Sequence, residues 1–84
     1  MKKDKNAKTD KKILFVYHYK ENTYSTRSIN FFNHAIIAKD KKEAYKMFLI
    51  YILKKYIDYN PSMDDAFIEK VVFNKITITN IIEI

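Results

Sequence analysis

Few side chains here have the chemistry to act on a substrate, and their spacing decides what they can do. His18 and His34 are the only imidazoles, and there is no cysteine. A protein-bound zinc ion takes at least three protein ligands, so two histidines alone make a poor site. With a hairpin tip near Asn22 and Thr23, His18 falls opposite Ser28 and His34 near Lys12, and the pair does not converge. Both are expected to be ordinary strand residues, with no metal and no cofactor. Glu43, Glu69 and the adjacent Asp64 and Asp65 are the carboxylates to weigh for acid–base work. Helix caps and solvated helix faces explain them adequately. Glycine is absent from all 84 residues. Phosphate-cradling loops, dinucleotide fingerprints and nucleophile elbows need glycine for tight turns or close backbone approach, which excludes all three. The chain is not expected to be an enzyme.

Length and charge bound the remaining classes. Eighty-four residues make one domain, small enough that burial only modestly outweighs chain entropy. Without cysteine no disulfide reinforces the core, so the core must suffice or a partner must help. Six phenylalanines and seven tyrosines supply ample core material, and tyrosine is amphipathic enough to serve at an interface. Residues 1–12 carry six lysines against two aspartates, contributing +4 of the net +6 and leaving residues 13–84 nearly neutral. This stretch is expected to be a disordered basic tail, either solubilising or attracting nucleic acid or an acidic partner by counterion release. Residues 13–84 are expected to form a single domain. No apolar run approaches the ~20 residues needed to cross a bilayer, and the lysine-rich start leads into a strand-like segment, not a signal-peptide core. A cytoplasmic protein acting in a host cell, without a membrane partner, is expected.

The elements that must position these residues are organised around residues 40–59. Asp40-Lys41-Lys42-Glu43 spells a capping box, in which Asp40 accepts from the Glu43 amide and Glu43 reaches back to the cap amide. A helix from that start places Tyr45, Phe48, Leu49, Ile52, Leu53 and Tyr56 on one stripe. The apolar run from Met47 to Leu53 then sends Met47, Ile50 and Tyr51 away from the core, near Lys54, and these four are candidate partner-binding residues. Upstream, residues 12–20 read as a strand with Ile13, Phe15, Tyr17 and Tyr19 on one face and Leu14, Val16 and His18 on the other. Apolar weight on both faces marks a central strand. Residues 21–25 suit a hairpin loop, and residues 26–38 a second strand long enough to hold a bulge. Its faces are Ile29, Phe31, Ala35 and Ile37 against Phe32, His34 and Ile36. Pro61 stops the helix near Tyr59, and Asn60 or Ser62 is expected to cap a short second helix running through Ala66, Phe67 and Lys70. From about Val72 the period becomes two, with Ile76, Ile78, Ile82 and Ile84 on one face. The predicted class is α+β, in β-β-α-α-β order: a small antiparallel sheet of about three strands with one long helix across a face. The second face of so small a sheet also needs cover, which a second copy or a protein partner would supply.

Lys41-Lys42-Glu43-Ala44, opening a helix straight after a strand, resembles the K-K-x-A start of the last helix in double-stranded RNA-binding domains. The resemblance implies that Lys41 and Lys42 grip phosphates. Lys46 and Lys55 extend the candidate nucleic-acid-binding set along the helix. It covers only those residues, and this chain departs from the family in lacking an N-terminal helix, a glycine-rich approach to the motif, and the proline and histidine of the family's hairpin.

Three kinds of function therefore enter as expectations. The first is a non-catalytic binding protein, phage- or plasmid-encoded, that occludes a host protein or protein–nucleic-acid complex in the manner of an anti-CRISPR or other anti-defence inhibitor. A glycine-free domain rich in lysine, asparagine and isoleucine, with more aromatic surface than it can bury, suits that style of protein. The second is a nucleic-acid binder using the tail and the helix lysines, against which stands the near-neutral folded region. The third is a structural module that dimerises.

Overall fold

The computed structural model describes residues 11–22 and 30–84 and shows an α+β chain. Its elements are β1 (Ile13–Glu21), β2 (Phe31–Ala38), α1 (Lys41–Tyr56), α2 (Asp65–Lys75) and β3 (Ile76–Glu83), in the order expected from the sequence. The basic tail up to residue 10, most of the expected hairpin loop, and residues 26–29 of the expected second strand lie outside the described residues.

β1 is the central strand of an antiparallel sheet ordered β2-β1-β3. Its alternation sends Phe15, Tyr17 and Tyr19 into the core beneath the helices. Directly opposite residues of an antiparallel pair share a face, so Phe32, His34, Ile36 and Ala38 of β2 join them. The pairing runs from Ile13 opposite Ala38 to Lys20 opposite Phe31, and the Glu21 amide donates to the Asn30 carbonyl at 3.1 Å. This corrects the expected hairpin tip near Asn22 and Thr23. His18 lies opposite Asn33 and His34 opposite Tyr17. Burial sets the register: only this one brings Ile36 beside Phe15 and Phe32 beside Tyr19. The two imidazoles stand on opposite faces of the sheet and cannot share a ligand.

The capping box at α1 forms with one displacement. Asp40 Oδ1 accepts from the Glu43 amide at 2.8 Å, and Glu43 Oε1 accepts from the Lys39 amide, one residue before the cap, at 2.8 Å. The helix ends at Tyr56, short of the expected Tyr59, where Ile57 leaves helical geometry and its amide closes on the Leu53 carbonyl. Ala44, Phe48, Leu49, Ile52 and Leu53 are buried, while Tyr45 and Tyr56 flank them half-buried. Phe48 stacks on Tyr17 at 4.4 Å between ring centroids and meets Tyr19 edge-on at 5.3 Å.

Asp64 caps α2, accepting from the Phe67 amide at 2.8 Å, which corrects the assignment of that role to Asn60 or Ser62. Asn60 instead holds the turn around Pro61: its Oδ1 accepts from the Ser62 amide at 3.0 Å and its carbonyl from the Met63 amide at 2.9 Å. α2 also continues to Lys75, past the expected change of period at Val72, because Ile68 and Val72 are buried one helical turn apart.

β3 contains a bulge, whereas the described part of β2 pairs with β1 without one. Tyr19 pairs with Ile78 but His18 with Asn80, leaving Thr79 as the extra residue, its hydroxyl on the His18 carbonyl. The bulge reverses every face beyond it. Ile76, Ile78 and Ile81 stand on the helix side, whereas Ile82 and Ile84, expected to share their face, stand on the other. Without the extra residue, Asn80 would be the residue driven against Tyr17.

Candidate functional site

The polar groups that pack beneath the helices are tied into hydrogen bonds, not arranged for proton transfer. The Tyr45 hydroxyl donates to Glu69, linking α1 to α2, and the Tyr56 hydroxyl donates to Glu21, linking α1 to β1. Burial and the Glu69 carboxylate push the Tyr45 phenol up to about 12, and burial with Glu21 raises that of Tyr56 further, so neither phenol is a usable acid near neutrality. The Tyr56 hydroxyl, then the Asn30 amide, hold the Glu21 carboxyl below its ordinary range. Among the described residues no three His, Asp or Glu side chains cluster as metal ligands.

A cleft of about 360 Å³ lies between α1 and α2, lined by Lys42, Tyr45, Lys46, Leu49, Ile50, Asp65, Ala66, Ile68 and Glu69. Lys46 and Asp65 form an ion pair at 3.2 Å in it, and Glu69 accepts from the Tyr45 hydroxyl. A second cleft of about 290 Å³ lies among Phe15, Tyr17, Lys41, Tyr45, Ile81 and Glu83. Neither presents a nucleophile beside a base.

The side of the sheet turned away from the helices is different. On it the pairing aligns Leu14 with Ile37, Val16 with both Ala35 and Ile82, and Ile84, whose amide donates to the Leu14 carbonyl at 2.8 Å. These six form a contiguous apolar patch that no described element covers. Ile37, Ile82 and Ile84 are 60%, 40% and 74% exposed. A large exposed apolar patch on a small protein marks an interaction surface. Lys20 stands at the far end of the same face, and no acidic residue of the sheet shares it, since Glu21 and Glu83 point to the helix side. The apolar patch therefore occupies the end of the face toward Leu14, and the polar row His18, Asn33 and Asn80 separates it from Lys20.

The residues singled out on the long helix separate. Met47 and Lys54 are exposed, Ile50 is half-buried at the cleft against α2, and Tyr51 stacks on His34 with centroids 3.6 Å apart. The expectation that Tyr51 points away from the packed side is corrected: it sits on the flank above β2, where its ring reaches His34. The lysines separate too. Lys41 borders the second cleft and Lys42 and Lys46 the first, while Lys55 lies over the Phe32 ring at 4.4 Å, near Tyr19 and Tyr56. Lys41, Lys42 and Lys46 are exposed near the start of α1, and Lys55 is exposed near its end. Leu14, Val16 and Ile37 were signalled by the two apolar faces of their strands; Ile82 joined them only through the bulge.

Burial, then the charge of Lys55, lowers the pKa of His34 from its usual 6.5. The unfolded chain therefore binds a proton before the folded one does, and stability is lost as the pH falls below 6.5 toward the folded value. His34→Phe keeps the stack on Tyr51 and should remove that slope, as thermal midpoints measured between about pH 5 and pH 8 will show. An unchanged slope would mean that another group carries it.

Comparison with protein-family models, curated proteins and solved structures finds no match to this chain. No helix among the described residues is long and apolar enough to cross a membrane.

Proposed function

We propose that this is a non-catalytic binding protein that docks on another protein through the uncovered face of its sheet and acts by occluding it. The contiguous patch of Leu14, Val16, Ala35, Ile37, Ile82 and Ile84 carries the proposal. Folding leaves Ala35, Ile37, Ile82 and Ile84 exposed and Leu14 and Val16 half-buried, and burying them on a partner recovers about 25 cal/mol for each Å² of apolar surface. Because the sheet places no acidic residue on this face, a partner whose own apolar surface is bordered by acidic groups meets no like charge there. A host protein or protein–nucleic-acid complex, including a nucleic-acid-processing or defence machine, is the partner class we propose, in keeping with a glycine-free composition rich in lysine, asparagine and isoleucine.

The test compares the tagged full chain with its Ile82→Lys variant in pull-downs from host lysate. Ile82 is exposed and far from the core, so the variant should fold and lose a stoichiometric partner that the parent retains. A partner held equally by both proteins would sink the proposal. Recovery of nucleic acid instead, released by salt and lost in a Lys41→Glu, Lys42→Glu variant, would transfer the function to the lysines.

A further inference from the structure

The two edges of the sheet are not equally protected. On β3 the extra residue Thr79 kinks the ladder, the Asn80 side chain accepts the Ile81 amide at 2.9 Å, and Glu83 adds a charge. Bulges, local capping and charge are the usual means of keeping an edge from pairing with another chain. β2 has none of them. Phe31-Phe32-Asn33-His34-Ala35-Ile36-Ile37-Ala38 contains no charge, no proline and no bulge in its pairing with β1, and among the described residues nothing covers its outer side.

The direction of its free groups follows from one hydrogen bond. The Glu21 amide donates to the Asn30 carbonyl, so Asn30 and every second residue after it turn their backbone groups toward β1. The amides and carbonyls of Phe31, Asn33, Ala35 and Ile37 therefore point outward. We infer that β2 pairs antiparallel with β2 of a second copy about a two-fold axis at His34, joining the two sheets into one. In that register Phe31 lies opposite the second copy's Ile37 and Asn33 opposite its Ala35, and all four outward residues are hydrogen-bonded at once.

The choice of a second copy rests on this self-complementarity. Phe31 is 67% and Ile37 60% exposed, among the most exposed large apolar side chains of the described residues, and they stand on the same face at equal distances from His34. A two-fold axis brings each onto the other twice, as an isologous interface requires. The strand carries no charge to repel its copy, and the Ile13 ends of β1, where the lysine-rich segments join, fall at opposite ends of the pairing. A stable dimer needs about 800 Å² from each partner, more than an edge strand offers. The flank of α1 above β2, with exposed Met47 and the Tyr51 ring stacked on His34, supplies the additional surface on the helix side. The pairing takes Ala35 and Ile37 from the margin of the proposed docking face and leaves Leu14, Val16, Ile82 and Ile84 free, so Ile82→Lys separates the two proposals.

Light scattering on the full chain should give twice the 10.1 kDa chain mass. Amide exchange followed by NMR should show Asn33 and Ala35 protected although neither amide faces β1. Ala35→Pro removes an outward donor without touching the pairing to β1, and Ile37→Lys places charge in the seam. Each should yield a monomer with the parent's circular dichroism, whereas Ile82→Lys should remain a dimer. A monomeric parent at millimolar concentration would overturn the inference. So would a folded Ile37→Lys dimer, even if Ala35→Pro proved unable to fold.

Discussion

Phe48→Ala should unfold most of the protein at room temperature. Phe48 is wholly inaccessible to water and joins α1 to the central strand through its stack on Tyr17 and its edge contact with Tyr19. Truncating a buried phenylalanine removes its transfer free energy and leaves a cavity whose lining loses its dispersion contacts, together ~3–5 kcal/mol. A domain of this size has a total stability near the lower end of ~5–15 kcal/mol. The two rigid tyrosine rings cannot close the space by themselves, because each is buried against another strand neighbour. Urea titration followed by far-ultraviolet circular dichroism should show the midpoint moving to, or close to, zero denaturant. A loss below about 1 kcal/mol, the size of a surface substitution, would mean that the helix is not held to the sheet by this ring.

Val72→Asp should be comparably damaging, for a different reason. Val72 is fully buried on α2, one turn after Ile68 and one turn before Ile76, the first residue of β3, which is buried as well. Among the described residues no cationic side chain is buried in the core to pair with a carboxylate placed there. An unpaired buried charge costs ~3–5 kcal/mol, and the group relieves that cost by taking up a proton. The sign of the pH effect follows: the folded-state pKa of the new aspartate is raised, so the variant should recover stability relative to the parent as pH falls through that value toward the ordinary ~3.9. The parent, with the Glu21 carboxyl held low by Tyr56, changes in the opposite direction over the acid range. Thermal midpoints of both proteins at neutral and mildly acid pH will show whether the gap narrows. A gap that stays constant would place residue 72 in contact with water, and α2 outside the core.

The sequence by itself determined the class and order of the elements. Asp40 and Glu43 mark the start of α1 by a local hydrogen-bonding pattern, and the spacing of Phe48, Leu49, Ile52 and Leu53 names its buried stripe, because a helix repeats over a few residues. The alternation in β1 fixed which of its side chains go inward and, by being apolar on both faces, that it would lie in the middle. What only the tertiary structure decided are the quantities set between segments distant in the chain. The register of β1 on β2, which separates His18 from His34, depends on cross-strand burial and not on the loop residues. The displacement of Tyr51 onto His34 depends on where β2 runs beneath the helix. The bulge at Thr79 is invisible in a period-two pattern, since a strand read alone gives no sign of an extra residue until its partner is in place. That single insertion moved Ile82 and Ile84 from the expected core face to the uncovered one. The apolar face proposed here as the docking site exists because a one-residue shift in a strand exchanges its two sides.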